Sequence, residues 1–551
     1  MPSKTELHAL ISAQQQKRQQ GFDVVRTLLD RLAPSDQEKW DGIRQMSYTQ
    51  LAAALKDESV APIDALHAYQ EAAINAHEQT NCLVEVLEEA ERWAREVELK
   101  YKGADKPPLY GMPISLKEQI HVDGHTITFG YANLLSTSVQ GDAVVVEVLK
   151  EQGAIPFART NIPQTLMIYS CSNPIYGKTT HPLDSDRTPG GSSGGEAALL
   201  AARGSPVGIG TDGGGSVRIP SSFCGLAGIK LTSTRVSQCR IGEAIPGCKG
   251  IGISWGPMAL EVNALTDVVR AVLNSPTSNL RDPYTPLMPF REDLFRSEKP
   301  LTIGWYDFDG WWHALPVMKR AVAETRAALE ARGHKLVPWT PPRVKDALRY
   351  FCLAFSPDGG RRMLELVDEG VVDPMLRQYF FLYRIPIWVK RTIATLTNWW
   401  FPRLAYMNRL FTESSYDLRI AYGQADEYKR EFIQSWQSAG LDAVLCPAFG
   451  HPAPPHDLPS QCSGPITYTG LYNLLDFSAG VVRVTEVTNK DQEDCAKLYT
   501  EEDMFYRMAK AAFTSGSVGL PVGVQCVALP NQDEICLRLM SEVEKTVAPR
   551  P

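Results

Sequence analysis

The chain has 551 residues, 44% of them hydrophobic and 22% charged, with a formal net charge of −7. Such proportions belong to a soluble globular protein and exclude collagen-like and disordered chains, while the acidic balance excludes wholesale attraction to nucleic acid, which needs a basic face to release counterions. The 11 cysteines are odd in number and contain no C-x-x-C pair, which argues against zinc and dithiol redox sites and for a reducing, intracellular compartment.

Ser3 and Glu6 fit a capping box at the head of a polar, Gln-rich helix running toward Leu28, Leu29 and Leu32, a pattern unlike the charged-then-apolar signal peptide. Over residues 46–102 the apolar spacing and charge pairs predict helices that end in a Gly/Pro turn at 103–108, so residues 1–103 are expected as an N-terminal helical layer. Beyond it, residues 143–149 and 196–202 read as helices and 154–157, 301–306 and 443–446 as strands. Their alternation predicts an α/β fold over residues 104–551, a single large domain with a mixed, twisted sheet covered by helices on both faces. No stretch holds the roughly 20 uninterrupted apolar residues of a bilayer span, and the C-terminal Ala548-Pro-Arg-Pro551 carries no lipidation signal.

The most unusual stretch is Thr188-Pro-Gly-Gly-Ser-Ser-Gly-Gly-Glu196 followed by Gly208-Ile-Gly-Thr-Asp-Gly-Gly-Gly-Ser-Val-Arg-Ile-Pro220. Glycine is costly to order, so this density implies backbone that approaches something closely. Gly208, Gly210 and Gly213 match G-x-G-x-x-G, but a dinucleotide turn opens directly into a helix, and here more glycines and Pro220 follow. Ser193 centres a formal G-x-S-x-G, yet that elbow needs a strand immediately before the serine, and residues 184–191 read as a loop of Asp, Pro and Gly. A Ser-His-Asp triad would also need one of the ten histidines, none of which has a distinctive context.

The third reading uses both serines. The two segments resemble the amidase signature family, whose G-G-S-S-G-G core followed by G-T-D-x-G-G-S is matched nearly throughout. The resemblance implies that Ser216 is the nucleophile, Ser192 the bridging serine, with a cis peptide before it, and Lys117 of Met112-Pro-Ile-Ser-Leu-Lys117 the base. Chemistry supports these roles: an amide is a poor electrophile, so the hydroxyl must lose its proton to an adjacent base as it attacks. Lysine can act so only when neutral, and burial in the largely apolar run 110–116 would lower its pKa. Gly213, Gly214 and Gly215 are expected to leave amides free for the oxyanion.

Read alone, Lys117 beside Glu118 is an ordinary surface ion pair; the motif reverses that reading. Ser193 is expected to hydrogen-bond within its loop, and Arg218 to pair with Asp212 or Glu196 and lock the loops together.

Resemblance runs from about Met46 to Lys545 and is greatest to the animal fatty acid amide hydrolase branch, carried by Leu109-Tyr-Gly-Met-Pro-Ile-Ser-Leu-Lys-Glu118, Ser170-Cys-Ser-Asn-Pro174, Tyr472-Asn-Leu-Leu-Asp-Phe477 and Ser517-Val-Gly-Leu-Pro-Val-Gly-Val-Gln-Cys526. It implies long-chain fatty acid amide substrates, such as acyl ethanolamides and primary amides, no cofactor or metal, and a homodimer. It also implies an acyl channel after Asn161-Ile-Pro-Gln164, near Leu166, Met167 and Phe355. Rival readings are a soluble amidase for short or aryl amides and a non-catalytic lipid-binding protein.

One feature supports a lipid substrate without the family. Between Pro374 and Thr412 there is no acidic residue, yet Arg377, Arg384, Lys390, Arg391, Arg403 and Arg409 stand among Phe380, Phe381, Trp388, Trp399, Trp400 and Phe401. Val389, Ile393, Leu396 and Trp400 follow helical spacing between Pro386 and Pro402, which predicts a helix of about 15 residues and about 23 Å. Too short to span a bilayer, it is expected to lie in the interface as a membrane cap over 376–410, making the protein peripheral or monotopic on endomembranes. The branch departs here in three ways: its usual N-terminal membrane helix is not seen, Ser478 and Arg483 replace prolines, and Leu166 replaces a methionine.

Overall fold

The computed structural model describes residues 2–411 and 414–547; Thr412 and the C-terminal Ala548-Pro-Arg-Pro551, with the reading made of it above, lie outside them. One mixed sheet of 11 strands forms the centre. In spatial order its strands are Leu83–Val86, Ile155–Thr160, Pro113–Lys117, Val207–Asp212, Ser254–Ala259, Ala227–Lys230, Ser478–Glu486, Pro521–Ala528, Ala443–Pro447, Thr302–Trp305 and Lys335–Pro338. Helices flank it, and the expected α/β architecture holds. Residues 143–149 and 196–202 lie mostly within the helices Val144–Glu151 and Gly194–Ala201. The predicted strands fall within a few residues of Ile155–Thr160, Thr302–Trp305 and Ala443–Pro447.

The part of the sheet that matters for chemistry is parallel. Pro113–Lys117 runs between Ile155–Thr160 and Val207–Asp212, with Lys117 opposite Thr160 and Leu116 opposite Ile209. Every residue of these three strands is buried, as expected of parallel strands covered on both faces. Their carboxyl ends converge, and Lys117 and Asp212 are terminal residues.

The N-terminal segment begins with the helix Lys4–Gln45, whose Ser3–Glu6 capping box is formed, and continues through Tyr48–Lys56, Pro62–Thr80 and Ala90–Lys100. The helical reading of 46–102 needs one correction. Asn81, in the left-handed region at φ 54°, ends the third helix, and Leu83–Val86 then pairs antiparallel with Ile155–Thr160 as the sheet's edge strand. Four residues are too few to show an alternating pattern, so tertiary pairing decides their state.

A second correction concerns the cap. The predicted helix between Pro386 and Pro402 is Ile387–Thr397, 11 residues, or about 17 Å. It is preceded by Arg377–Arg384 and followed by a separate short helix, Pro402–Met407. Among the described residues no helix is long and apolar enough to cross a membrane.

Candidate active site

Lys117 reaches the end of its strand with its side chain fully buried, and its Nζ stands 2.7 Å from Ser192 Oγ and 2.8 Å from Thr211 Oγ1. The surface-pair reading therefore fails: Glu118 turns elsewhere and accepts from the amide and hydroxyl of Thr128. Thr211 donates its own proton to Gln119 Oε1 at 2.7 Å, and Gln119 Nε2 donates to Gly242 O, which orients the amide. Thr211 can thus only accept from Lys117. A neutral lysine has two N–H bonds and one lone pair, so an N–H directed at Thr211 leaves the lone pair for the Ser192 hydroxyl. Burial pulls the ammonium down to about 7, against the opposing charge of Asp212 and weaker contributions from Cys171, Glu118 and Glu196.

Both serine loops are built to hold their side chains in place. The Gly191–Ser192 peptide is cis, and a Cβ on Gly191 would collide with the carbonyl of Ser170. Ser193 bridges the loop to the Val207–Asp212 strand, its Oγ lying 3.3 Å from both Thr211 O and Thr211 N, and its amide donates to Ser216 O at 3.2 Å. The bonding expected within its own loop is thereby corrected: the Ser193 side chain crosses to the neighbouring strand instead.

Ser216 follows Gly215, which has φ 123°, a conformation favouring glycine. Ser216 Oγ makes no hydrogen bond to another described residue, so the Ser216 to Ser192 link of the expected relay is not closed here. Such bonds are often long in a substrate-free enzyme and tighten with substrate bound.

Arg218 pairs with Asp212, as one of its two expected partners, through Nη2 to Oδ1 at 2.9 Å and Nε to Oδ2 at 3.0 Å. It also donates to Gln525 Oε1, Asn473 Oδ1 and Thr469 O. Burial opposes ionisation of Asp212, yet Arg218, Asn473 and the Gly215 amide hold its carboxyl well below the ordinary range. Because Gly215 N–H donates to Asp212 Oδ1 at 2.8 Å, it is not free for an oxyanion. The expectation of three free glycine amides is corrected at Gly215, whose amide is already engaged.

The amidase family profile matches residues 64–537. The chain belongs to the amidase signature family. It is 41% identical over 515 residues to fatty acid amide hydrolase 1 of Caenorhabditis elegans, covering 93% of this chain and 90% of that protein. To fatty-acid amide hydrolase 1 of Sus scrofa it is 41% identical over 505 residues, covering 91% and 85%. A solved fatty acid amide hydrolase superposes with a TM-score of 0.81 at 23% identity, over 98% of this chain and 96% of that one, a likeness of fold.

In this amidase a cavity of about 400 Å³ opens from Ser216, Gly191 and Gly214 and extends beneath the cap helices. Leu166, Met167 and Phe355 line it as expected, together with Phe351, which stacks on Phe355 at 5.4 Å. Tyr379, Leu382, Tyr383, Lys390, Leu404 and Phe411 carry the wall into the cap. Neither Ser478 nor Arg483 lines it; both lie in the strand Ser478–Glu486.

The cap's cations are less uniform than composition implied. Arg377 and Arg391 are exposed, Arg384 pairs with Asp368 and Arg403 with Asp503 at 2.6 Å, while Lys390 is buried. Phe380 is also buried, but Trp388, Trp399 and Trp400 are 72%, 87% and 71% exposed.

Sequence reasoning missed three residues of this amidase's site, Thr211, Gln119 and Asn473, and offered Glu196 only as a partner of Arg218, which it does not contact by hydrogen bond. Glu196 accepts from Ser115 Oγ and, at 2.7 Å, from Thr160 Oγ1. Burial raises its carboxyl to about 7 against those two donors and the charge of Lys117. The period-two alternation of Ser115, Lys117 and Gln119 was the available signal for a shared face.

Proposed function

We propose that this amidase hydrolyses long-chain fatty acid amides to fatty acid and amine through an acyl-enzyme on Ser216. The observation that carries the reading is the buried Lys117 amine against Ser192 at the head of a largely apolar cavity. The relatives named fatty acid amide hydrolase, similar over nine-tenths of the chain, support the substrate class.

Ser216 Oγ attacks the amide carbonyl as its proton passes to Ser192 and the Ser192 proton passes to the neutral Lys117. The oxyanion forms against the amides of Gly213, Gly214 and Ser216. Lys117 then returns its proton through Ser192 to the amine nitrogen, the C–N bond breaks, and the amine departs. Water repeats the sequence on the ester and releases the fatty acid.

The cap is the entrance in this reading. Exposed Trp388, Trp399 and Trp400 beside Arg377 and Arg391 suit a membrane interface, and the acyl chain passes between the cap helices toward Leu166, Met167, Phe351 and Phe355. The test is a substrate series on purified protein. Oleoyl amides are cleaved far more efficiently than acetamide, and Ser216→Ala abolishes both turnover and fluorophosphonate labelling. Preference for acetamide, or undiminished turnover in Ser216→Ala, would overturn the proposal.

A further inference from the structure

The cavity wall at Leu166 and Met167 is built on backbone that these residues do not choose for themselves. Thr165 and Leu166 both occupy the left-handed region, at φ 73° and 60°, where β-branched and bulky residues are disfavoured. Two successive residues of this kind persist only where the surroundings over-determine them.

Part of that determination is local: Thr165 N donates to Phe129 O at 3.0 Å, and Met167 N donates to Thr165 Oγ1 at 3.3 Å. The rest comes from the base of the cap. Gln164, fully buried, donates from Nε2 to Val371 O at 2.8 Å and accepts from Asp373 N at Oε1 at 2.9 Å. Asp373 accepts from Ser172 Oγ at 2.7 Å and from Met375 N at 2.7 Å, capping the turn that leads into Arg377–Arg384. From that helix, Tyr379 donates its hydroxyl to Met167 O at 2.9 Å. One side-chain amide and one phenol thus clasp the acyl-facing segment from either end to the first turn of the cap.

We infer that Gln164 is a positioning residue for acyl-chain selection, registering the Leu166–Met167 wall against the base of the cap, with Tyr379 completing the clasp. Gln164 itself does not line the cavity, so it acts on substrate only through the segment it holds. A bound long chain runs past this wall into the cap and senses its position, whereas an acetyl group ends beside Ser216 and does not. The inference rests on the fatty acid amide reading.

The experiment compares acetyl, octanoyl and oleoyl p-nitroanilides on the full chain. Gln164→Glu keeps the acceptor for Asp373 N–H and loses the donor to Val371 O; Gln164→Met loses both. The ratio of kcat/KM on oleoyl to that on acetyl falls about tenfold in Gln164→Met and less in Gln164→Glu, through KM and not kcat, a size expected of a displaced apolar wall. Fluorophosphonate labelling of Ser216 proceeds at the wild-type rate. If the buried substitutions do not fold, Tyr379→Phe, which removes the hydroxyl that meets Met167 O and, at 3.4 Å, the Tyr383 hydroxyl, decides: its length optimum moves, or the inference falls. Equal losses on all three substrates mark a general structural role and overturn it, as does an unchanged ratio. A wild-type enzyme indifferent to chain length would instead defeat the substrate reading itself.

Discussion

Thr211 holds Lys117 by accepting one of its N–H bonds at 2.8 Å, because its own proton is committed to Gln119. That commitment gives the lysine a direction as well as a place. Thr211→Val should lower kcat on the order of 10- to 100-fold with little change in KM, since a small misorientation of a catalytic group is costly. Thr211→Ser, which restores the hydroxyl, should recover most of the loss; a Val variant at wild-type rate would contradict the assignment.

Lys117 works as a base only when neutral, and its folded pKa is drawn down to about 7, chiefly by burial. The sign follows directly: below that value the amine is protonated and inactive, above it neutral and active. The kcat/KM profile should climb about tenfold per pH unit on the acid side and level off above about pH 7. Lys117→Met should remove the climb together with most of the rate.

Glu196 sits in the same buried row, held by Ser115 from the Lys117 strand and by Thr160 from the strand beside it. After burial and Asp212, it is among the weaker influences on Lys117, and its negative charge favours the protonated amine. Glu196→Gln should therefore shift the rising limb toward lower pH while Ser216 labelling at alkaline pH stays near wild type. A shift in the alkaline direction would refute the coupling.

Arg218 and Asp212 are both fully buried and bonded at two points. Arg218→Met strands a carboxylate in the interior, which should cost about 3–5 kcal/mol of unfolding free energy in denaturant titration. Converting Asp212 to Asn in the same chain should return part of that stability but not activity, because the amides of Gly215 and Val217 lose their charged acceptor.

The cap's exposed tryptophans are expected to partition into lipid. Replacing Trp388, Trp399 and Trp400 with serine should lower co-sedimentation with anionic vesicles by at least about tenfold, with little effect on turnover of a water-soluble acetyl anilide. Vesicle binding unchanged in the triple variant would remove the cap from the membrane.

Much of this site was legible before any coordinates. Ser192, Ser216 and Lys117 stand in motifs whose glycine spacing discriminates among hydrolase architectures, and the basic-aromatic run marked out helices that supply part of the cavity wall. What escaped depended on register. Thr211 meets Gln119 only because Pro113–Lys117 and Val207–Asp212 are adjacent and parallel, and nothing in either segment alone states that pairing. The Gly215 amide was misassigned for a related reason: Asp212 lies three residues earlier and folds back onto it. Leu83–Val86 was lost among helices because its strand character comes from its partner.

That same edge strand carries a practical consequence for anyone shortening the protein. Leu83–Val86 shields Ile155–Thr160, which lies directly beside the strand bearing Lys117. The opposite margin, Lys335–Pro338, is blunted by its own lysine and proline. Trimming past Val86 would bare a fully buried strand rich in unpaired backbone groups, inviting intermolecular sheet growth one strand away from the Lys117 amine.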